Sequence, residues 1–278
     1  MIYPRVRSLL FRLNPEVAHA LTINLLRFVG GFLPLRMLVS ALYSIPQDPV
    51  SVFGLQFPNR LGLAAGYDKD GLGRRGLTCL GFGHIEVGTV TPLPQAGNPK
   101  PRLFRLPDEK ALINCMGFPG KGMEFLRKRL KEVPHSRVMI GVNIGKNKDT
   151  LLSQAVEDYL SLMKVFYPLA DYLAINISSP NTEGLRTLQS TKPLQELLSC
   201  LVEQRHDLEG SQARKVPLLV KLAPDLTDGE LDGALNAILD SGIDGVIATN
   251  TTIKRDQVSS PWQEVSGGLS GAPITKLV

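Results

Sequence analysis

Along most of the chain, short apolar runs alternate with longer amphipathic stretches. Leu61–Ala65, His84–Val90, Val138–Ile144, Tyr172–Ile177, Leu218–Leu222 and Gly245–Thr249 are near-continuous apolar runs, the pattern of strands buried on both faces. The intervening segments Asp70–Leu80, Gly120–Lys131, Leu151–Tyr167, Leu194–Asp207 and Asp228–Ser241 read as helices. Repeated strand–helix units of this size predict a parallel sheet. Polar and glycine residues gather where the strands end, at Gly66-Tyr67-Asp68-Lys69, Gly88-Thr89, Asn143, Asn176, Lys221 and Thr249-Asn250-Thr251. That bias favours an α/β fold of the (β/α)₈ TIM-barrel type, whose chemistry lies at the strand C-terminal ends. A doubly wound sheet would instead carry a glycine-rich turn into its first helix.

The first 45 residues follow a different pattern. Residues 4–13 and 15–43 read as helices, the second opened by an N-cap at Asn14, Pro15 at the first position and Glu16 at the positive dipole end. Val17, Leu21, Leu25 and Phe28 recur at helical spacing, and Gly30-Gly31 with Pro34 should bend or break the helix. Such a pair lies on a membrane surface or packs as a helical lid on the main domain. Pro46 to Pro49 reads as a linker, separating a helical segment 1–45 from a barrel at 51–278.

Composition narrows the function classes. The 278 residues are 43% hydrophobic and 21% charged, an ordinary globular balance. The net charge is +5, and Arg5, Arg7, Arg12, Arg27 and Arg36 face a single acid, Glu16, before residue 48. The rest is nearly balanced, which argues against nucleic-acid binding. Cys79, Cys115 and Cys200 are scattered and the four histidines do not cluster, so neither disulfides nor a metal site is expected. The longest apolar run, Phe28 to Val39, contains Arg36 and falls short of a membrane span. A secretory signal is not evident, and the designed helix start at Asn14 argues against an organelle presequence.

The chemistry concentrates in Asn176-Ile177-Ser178-Ser179-Pro180-Asn181-Thr182, which supplies two amides, three hydroxyls and a stiffening proline directly after a strand. Asn114, Asn143, Asn176, Asn181 and Asn250 form an amide set suited to a heterocycle with alternating carbonyl and N–H edges, whereas Asn147 reads as a backbone cap. Lys69, past a strand end, and Lys221, between Val220 and Leu222 at the end of a strand run, can bind a carboxylate, offset an anionic ring or form a Schiff base. No histidine or carboxylate lies near Ser179 in sequence, so a Ser-His-Asp hydrolase is not indicated. Gly267-Gly268-Leu269-Ser270-Gly271 reads as a turn able to cradle an anion.

Together with Leu61 to Gly71, Glu86 to Pro92, Lys100 to Arg105, Asn143 to Asn147 and Val246 to Thr252, the 176–181 motif resembles the dihydroorotate dehydrogenases. A serine at Ser179 and the N-terminal helices resemble the quinone-dependent class. The resemblance implies a barrel holding FMN. Dihydroorotate would lose its C5 proton to Ser179 and pass a hydride from C6 to the flavin, giving orotate. Ubiquinone or menaquinone, entering between the N-terminal helices, would reoxidise the flavin at the cytoplasmic face of a bacterial inner membrane. By the same resemblance Ala65, Gly66, Tyr67, Asp68, Lys69, Thr89, Asn143, Asn176, Lys221, Thr249 and Gly271 serve FMN. Lys69, Asn114, Cys115, Met116, Gly117, Phe118, Asn176, Asn181, Asn250 and Thr251 surround the substrate, and Thr182 and Phe118 shape the route by which the Ser179 proton leaves. Tyr67 stands where the family has an aliphatic residue, and Pro119-Gly120 where it has an asparagine pair.

Six strand–helix units are legible, fewer than a (β/α)₈ barrel of about 250 residues holds. The family's last two units, with the phosphate loops, are expected to be missing. FMN binding by this chain is then expected to be weak and the fold poorly stable, with an inactive fragment as one alternative. A barrel lyase using Lys221 as its imine-forming residue is the other.

Overall fold

Residues 3–46, 48–132 and 137–276 are described by a computed structural model. The N-terminal unit comprises α1 (Tyr3–Phe11), α2 (Pro15–Gly31) and α3 (Leu33–Leu42). Asn14 caps α2 as its sequence predicts, its side chain accepting from the Glu16 N–H at 2.9 Å. Phe32, in extended backbone, separates α2 from α3, which diverge by 108°. The expected break thus becomes a sharp turn into a third helix, with Pro34 in the first turn of α3.

A hairpin follows, β1 (Val50–Val52) and β2 (Leu55–Phe57), turning through Phe53 and Gly54 at φ 56° and 76°. It is a feature the sequence reading passed over. Both central residues of a type I′ turn need positive φ, and the apolar–polar alternation of Val50-Ser51-Val52 and Leu55-Gln56-Phe57 was its signal. The Phe57 ring meets His84 edge-on at 5.5 Å and Tyr172 at 6.5 Å, filling the N-terminal end of the sheet with aromatic surface.

Next come β3 (Gly62–Leu63), α4 (Arg74–Leu77), β4 (His84–Val90), β5 (Leu103–Leu106), β6 (Ala111–Asn114), α5 (Gly122–Lys131), β7 (Met139–Ile144), α6 (Ala155–Phe166), β8 (Tyr172–Asn176), α7 (Thr191–Gln212), β9 (Leu218–Leu222), α8 (Asp228–Asp240), β10 (Gly245–Ala248) and β11 (Gly268–Gly271). The main sheet is parallel, in the order β3-β4-β7-β8-β9-β10. All six expected strands are present, each within about two residues of its predicted ends. Among the described residues β3 and β10 form the sheet's edges. Every residue of β8 and β9 is buried, whereas β10 is only partly covered.

Two expectations need correction. The segment Asp70–Leu80 is helical only over Arg74–Leu77. The Asp68 carboxylate takes the N–H groups of Leu72 and Gly73 at 2.8 and 2.9 Å, which holds this stretch as a loop. The Gly267–Gly271 segment is no anion-cradling turn: from Gly268 it is strand β11, antiparallel to β6 in a second sheet of order β11-β6-β5. That sheet, with its own core of Leu106, Ile113, Val258 and Leu269, lies beside the strand ends.

The main core sits between the parallel sheet and α5–α8, with Leu162, Met163 and Phe166 of α6 and Leu197, Leu198 and Leu201 of α7 packed against Val142, Ile144, Ile175 and Val220. Helix α2 docks on α4 at backbone distance: a Cβ added to Gly76 would lie 2.1 Å from the Leu26 carbonyl oxygen. A half-buried ionic cluster anchors the start of α2, where Glu16 meets Arg102 at 2.6 Å and Lys100 at 2.8 Å.

Two predictions follow from these contacts. Leu162→Ala, at a site with no solvent exposure, lowers the unfolding free energy by about 2–5 kcal/mol, read by denaturant titration. Burial raises the Glu16 pKa, but the hydrogen bonds and charges of Lys100 and Arg102 outweigh it and hold the carboxyl below its usual range. A depressed folded-state pKa stabilises above the unfolded value and is lost as pH falls through the folded one. Amide exchange in α2 therefore accelerates below about pH 4 relative to α6, and Glu16→Gln abolishes that difference in acid sensitivity.

Candidate active site

A cavity of about 690 Å³ opens at the C-terminal ends of the parallel strands. Its floor is formed by strand ends and the loops that follow them, one side by β5, β6 and β11, and its mouth by α1 and α2. Of the residues expected from sequence, Ala65, Gly66, Tyr67, Lys69, Thr89, Asn114, Met116, Gly117, Phe118, Asn176, Ser179, Asn181, Lys221, Thr249, Asn250 and Thr251 line it. Asp68, Cys115, Asn143, Thr182 and Gly271 do not reach its wall. Asn143 lies beneath the floor, and Asp68 faces away to tie its own loop. Gly271 ends a strand, opposite Ala111.

The floor rests on a set of interlocked amides. Asn143 Nδ2 donates to Glu86 Oε1 at 2.9 Å, and Asn143 Oδ1 accepts from Asn176 Nδ2 at 3.0 Å and from the Thr89 hydroxyl. Asn176 Oδ1 accepts from Asn250 Nδ2 at 3.2 Å. Across the cavity Asn181 Nδ2 donates to Asn114 Oδ1 at 3.0 Å. Parallel pairing makes this possible, because β7 and β8 align Asn143 with Ala174 and β8 and β9 align Asn176 with Lys221.

Ser179 is 5% exposed and accepts the Asn181 N–H at 3.3 Å. Its loop is braced by Arg186, which the sequence reading did not single out. The Arg186 guanidinium donates to Ser178 O at 3.1 Å and to Thr251 O at 3.0 Å while pairing with Asp225 at 2.8 Å. One side chain thus joins the loops after β8 and β10. Thr182 Oγ1 is buried without a hydrogen-bond partner among the described residues, the kind of position a water or exchanging proton can serve. Phe118 holds a positive φ of 52° and is buried at the cavity wall.

Lys69 donates to Gly66 O at 2.7 Å; burial pulls its pKa down to about 8, with Asp70 opposing. Burial lowers the pKa of His19 on α2, leaving it neutral at pH 7, and Nε2 donates to Tyr67 O at 2.6 Å. The Tyr67 hydroxyl donates to Thr22 Oγ1 at 2.9 Å, a bond that an aliphatic residue here would lack. At the mouth Arg105 donates to Leu13 O at 2.8 Å and stacks 4.8 Å from the Phe11 ring centroid. Glu16, His19 and Thr22 of α2 line the cavity together with Arg105 of β5, contributions that could be located only in three dimensions.

Fold and site together define a TIM-type α/β protein whose pocket at the strand ends carries amides and two lysines under a roof of helices. The dihydroorotate dehydrogenase family model matches residues 49–278. A quinone dihydroorotate dehydrogenase of Dichelobacter nodosus is 51% identical over 276 residues, covering 99% of this chain and 80% of that protein. One from Azotobacter vinelandii is 49% identical over 274 residues, covering 98% and 78%. The crystal structure of the Eimeria tenella enzyme in complex with ferulenol superposes with a TM-score of 0.80 at 37% identity, covering 94% of this chain and 73% of that one. The chain belongs to the dihydroorotate dehydrogenase family.

The Tyr67–Thr22 bond yields a test of how α2 is held. Tyr67→Phe removes one neutral hydrogen bond, about 1 kcal/mol, and speeds proteolytic cleavage within residues 15–31 while cleavage elsewhere keeps its wild-type rate.

Proposed function

We propose that this protein oxidises (S)-dihydroorotate to orotate, the oxidative step of de novo pyrimidine (UMP) biosynthesis, with FMN as hydride acceptor and a membrane quinone as final oxidant. The observation that carries the reading is the cavity itself: Ser179, Lys69, Lys221 and the Asn114, Asn176, Asn181 and Asn250 amides share one wall system at the strand ends.

The residues fit a flavin. Gly66 has φ 107°, and a Cβ there would meet nothing within 4 Å, projecting instead into the cavity whose wall it forms. Two lysines and several amide donors suit an anionic, carbonyl-rich ring. FMN, when bound, supplies the two-electron chemistry that no side chain provides. Ala65, Gly66, Thr89, Lys221 and Thr249 would hold it, with Lys69 between cofactor and substrate.

The chain's own task is to bind the pyrimidine and move a proton. Lys69 meets the substrate carboxylate, and the asparagines meet the imide edges. Ser179 takes the C5 proton, and the Thr182 hydroxyl, without a partner among the described residues, shapes its way out together with Phe118. Positioned proton transfer of this kind is worth about 10²–10⁴-fold. The lyase alternative loses ground because the Lys221 amine is ion-paired with Glu86 at 4.0 Å rather than set in apolar surroundings.

The quinone reading rests on the helical mouth, where Leu10, Phe11, Ala18 and Leu103 give the cavity an apolar approach. Outside it, Val17, Leu21, Leu25 and Phe28 of α2 and Leu33, Met37, Leu38 and Leu42 of α3 are exposed. Among the described residues no single helix is long and apolar enough to cross a membrane. The exposed apolar faces support a peripheral seat on a membrane surface, which in this reading is the cytoplasmic side of a bacterial inner membrane.

Ser179→Ala tests the reading: it slows dihydroorotate-dependent quinone reduction by about 10²–10⁴-fold while retaining FMN, and loss below about tenfold would remove Ser179 as the base. The Lys69 ammonium, present below about pH 8, is lost above it. The protonated form binds the carboxylate, so kcat/KM for dihydroorotate falls as pH rises through that value, and Lys69→Gln flattens the decline.

A further inference from the structure

Glu86 does not line the cavity, and nothing in the proposed reaction uses it directly. Its side chain is 5% exposed, within the apolar run of β4. A carboxylate in such a place is costly unless its neighbours supply hydrogen bonds and charge. Three other strands do so: Asn143 Nδ2 of β7 donates to Oε1 at 2.9 Å, the Tyr172 hydroxyl of β8 donates to Oε2 at 3.3 Å, and Lys221 Nζ of β9 lies 4.0 Å from Oε1.

An ionised carboxylate only accepts, and that dictates the amides above it. Asn143 must turn its NH₂ down to Glu86, since a flipped amide would set oxygen against oxygen. Its Oδ1 therefore points up, to Asn176 Nδ2 and the Thr89 hydroxyl. Asn176 must in turn direct its oxygen to Asn250 Nδ2 and to the Ser178 N–H at 3.3 Å. From Asn250 through Asn176 and Asn143, every amide donates in the same direction, and the sequence of donors ends at Glu86. Lys221 shares that end point, and its pairing with Glu86 is its one salt bridge among the described residues.

We infer that Glu86 is a positioning residue for the reaction: it fixes the donor direction of the Asn143–Asn176–Asn250 amides and holds the Lys221 ammonium at the cavity floor. What the floor then binds rests on the flavin-dehydrogenase reading; the role in ordering the floor does not. A glutamine at 86 has the same shape but presents either an oxygen or an NH₂ to Asn143, and it leaves Lys221 without its counter-charge. Tyr172 touches only the far oxygen of the carboxylate, so its loss costs stability and leaves the amides and Lys221 in place.

The test uses the full chain with E86Q, Y172F, K221M and E86Q/K221M. In denaturant titrations without flavin, E86Q and K221M each weaken the fold. The double variant falls short of their combined loss by about tenfold in the unfolding constant. In FMN titrations followed by flavin fluorescence, E86Q weakens binding on the order of tenfold or more, whereas Y172F stays within about threefold of wild type despite its stability loss. Additive losses for E86Q and K221M overturn the inference, as do equal losses of FMN affinity in E86Q and Y172F. If the wild type itself takes up no FMN, the flavin reading fails and the stability cycle alone decides the role of Glu86.

Discussion

Asn143 has no solvent exposure, and its amide must find every partner inside the protein. An unmet buried polar group costs about 1–3 kcal/mol, so its position constrains everything around it. The partners come from Glu86 and Thr89 on β4 and Asn176 on β8, with β7 between them. The register that pairs Gly88 with Asn143 and Asn143 with Ala174 meets that demand. A one-residue slip would turn Asn143 toward the helices and its apolar neighbours into the barrel interior. Correct folding of the sheet and assembly of the pocket floor are therefore one event.

The roof is built on different physics. Helix α2 is held at the mouth mainly through polar contacts, from His19 and Thr22 to Tyr67 and from Glu16 to Arg102 and Lys100, along with its backbone approach to α4. Only Ala18, Ile23 and Gly30 of its residues are buried. Segments with few buried apolar contacts open at lower free energy than cores. Under the proposed quinone reading, a roof held this way suits entry of a second, apolar ligand, and the exposed Leu21, Leu25 and Phe28 would be its surface toward a membrane.

The sheet and much of the site were legible for a physical reason. Strands covered on both faces must be apolar throughout, so Tyr172–Asn176 and Leu218–Leu222 announce themselves, and the polar residues after them mark the working end. The second sheet was hidden because Leu103–Leu106 and Ala111–Asn114 are short and gain their meaning from β11, more than a hundred residues away. The brief α4 was misread as a long helix because the Asp68 carboxylate overrides local propensity, a tertiary effect no periodicity reveals. Glu86 left a faint signal, a lone acid between Ile85 and Val87. Its importance depends on three other strands bringing Asn143, Tyr172 and Lys221 to it.

The cavity is proposed to be a flavin site arranged for dihydroorotate. The most direct measurement is the visible spectrum of the purified chain with FMN in excess, taken anaerobically before and after dihydroorotate. A flavin site of this kind gives a protein-bound flavin whose visible band bleaches on addition of dihydroorotate and stays unbleached in Ser179→Ala on the same timescale. A flavin that binds but keeps its colour with dihydroorotate, or a chain that takes up no flavin, would contradict it.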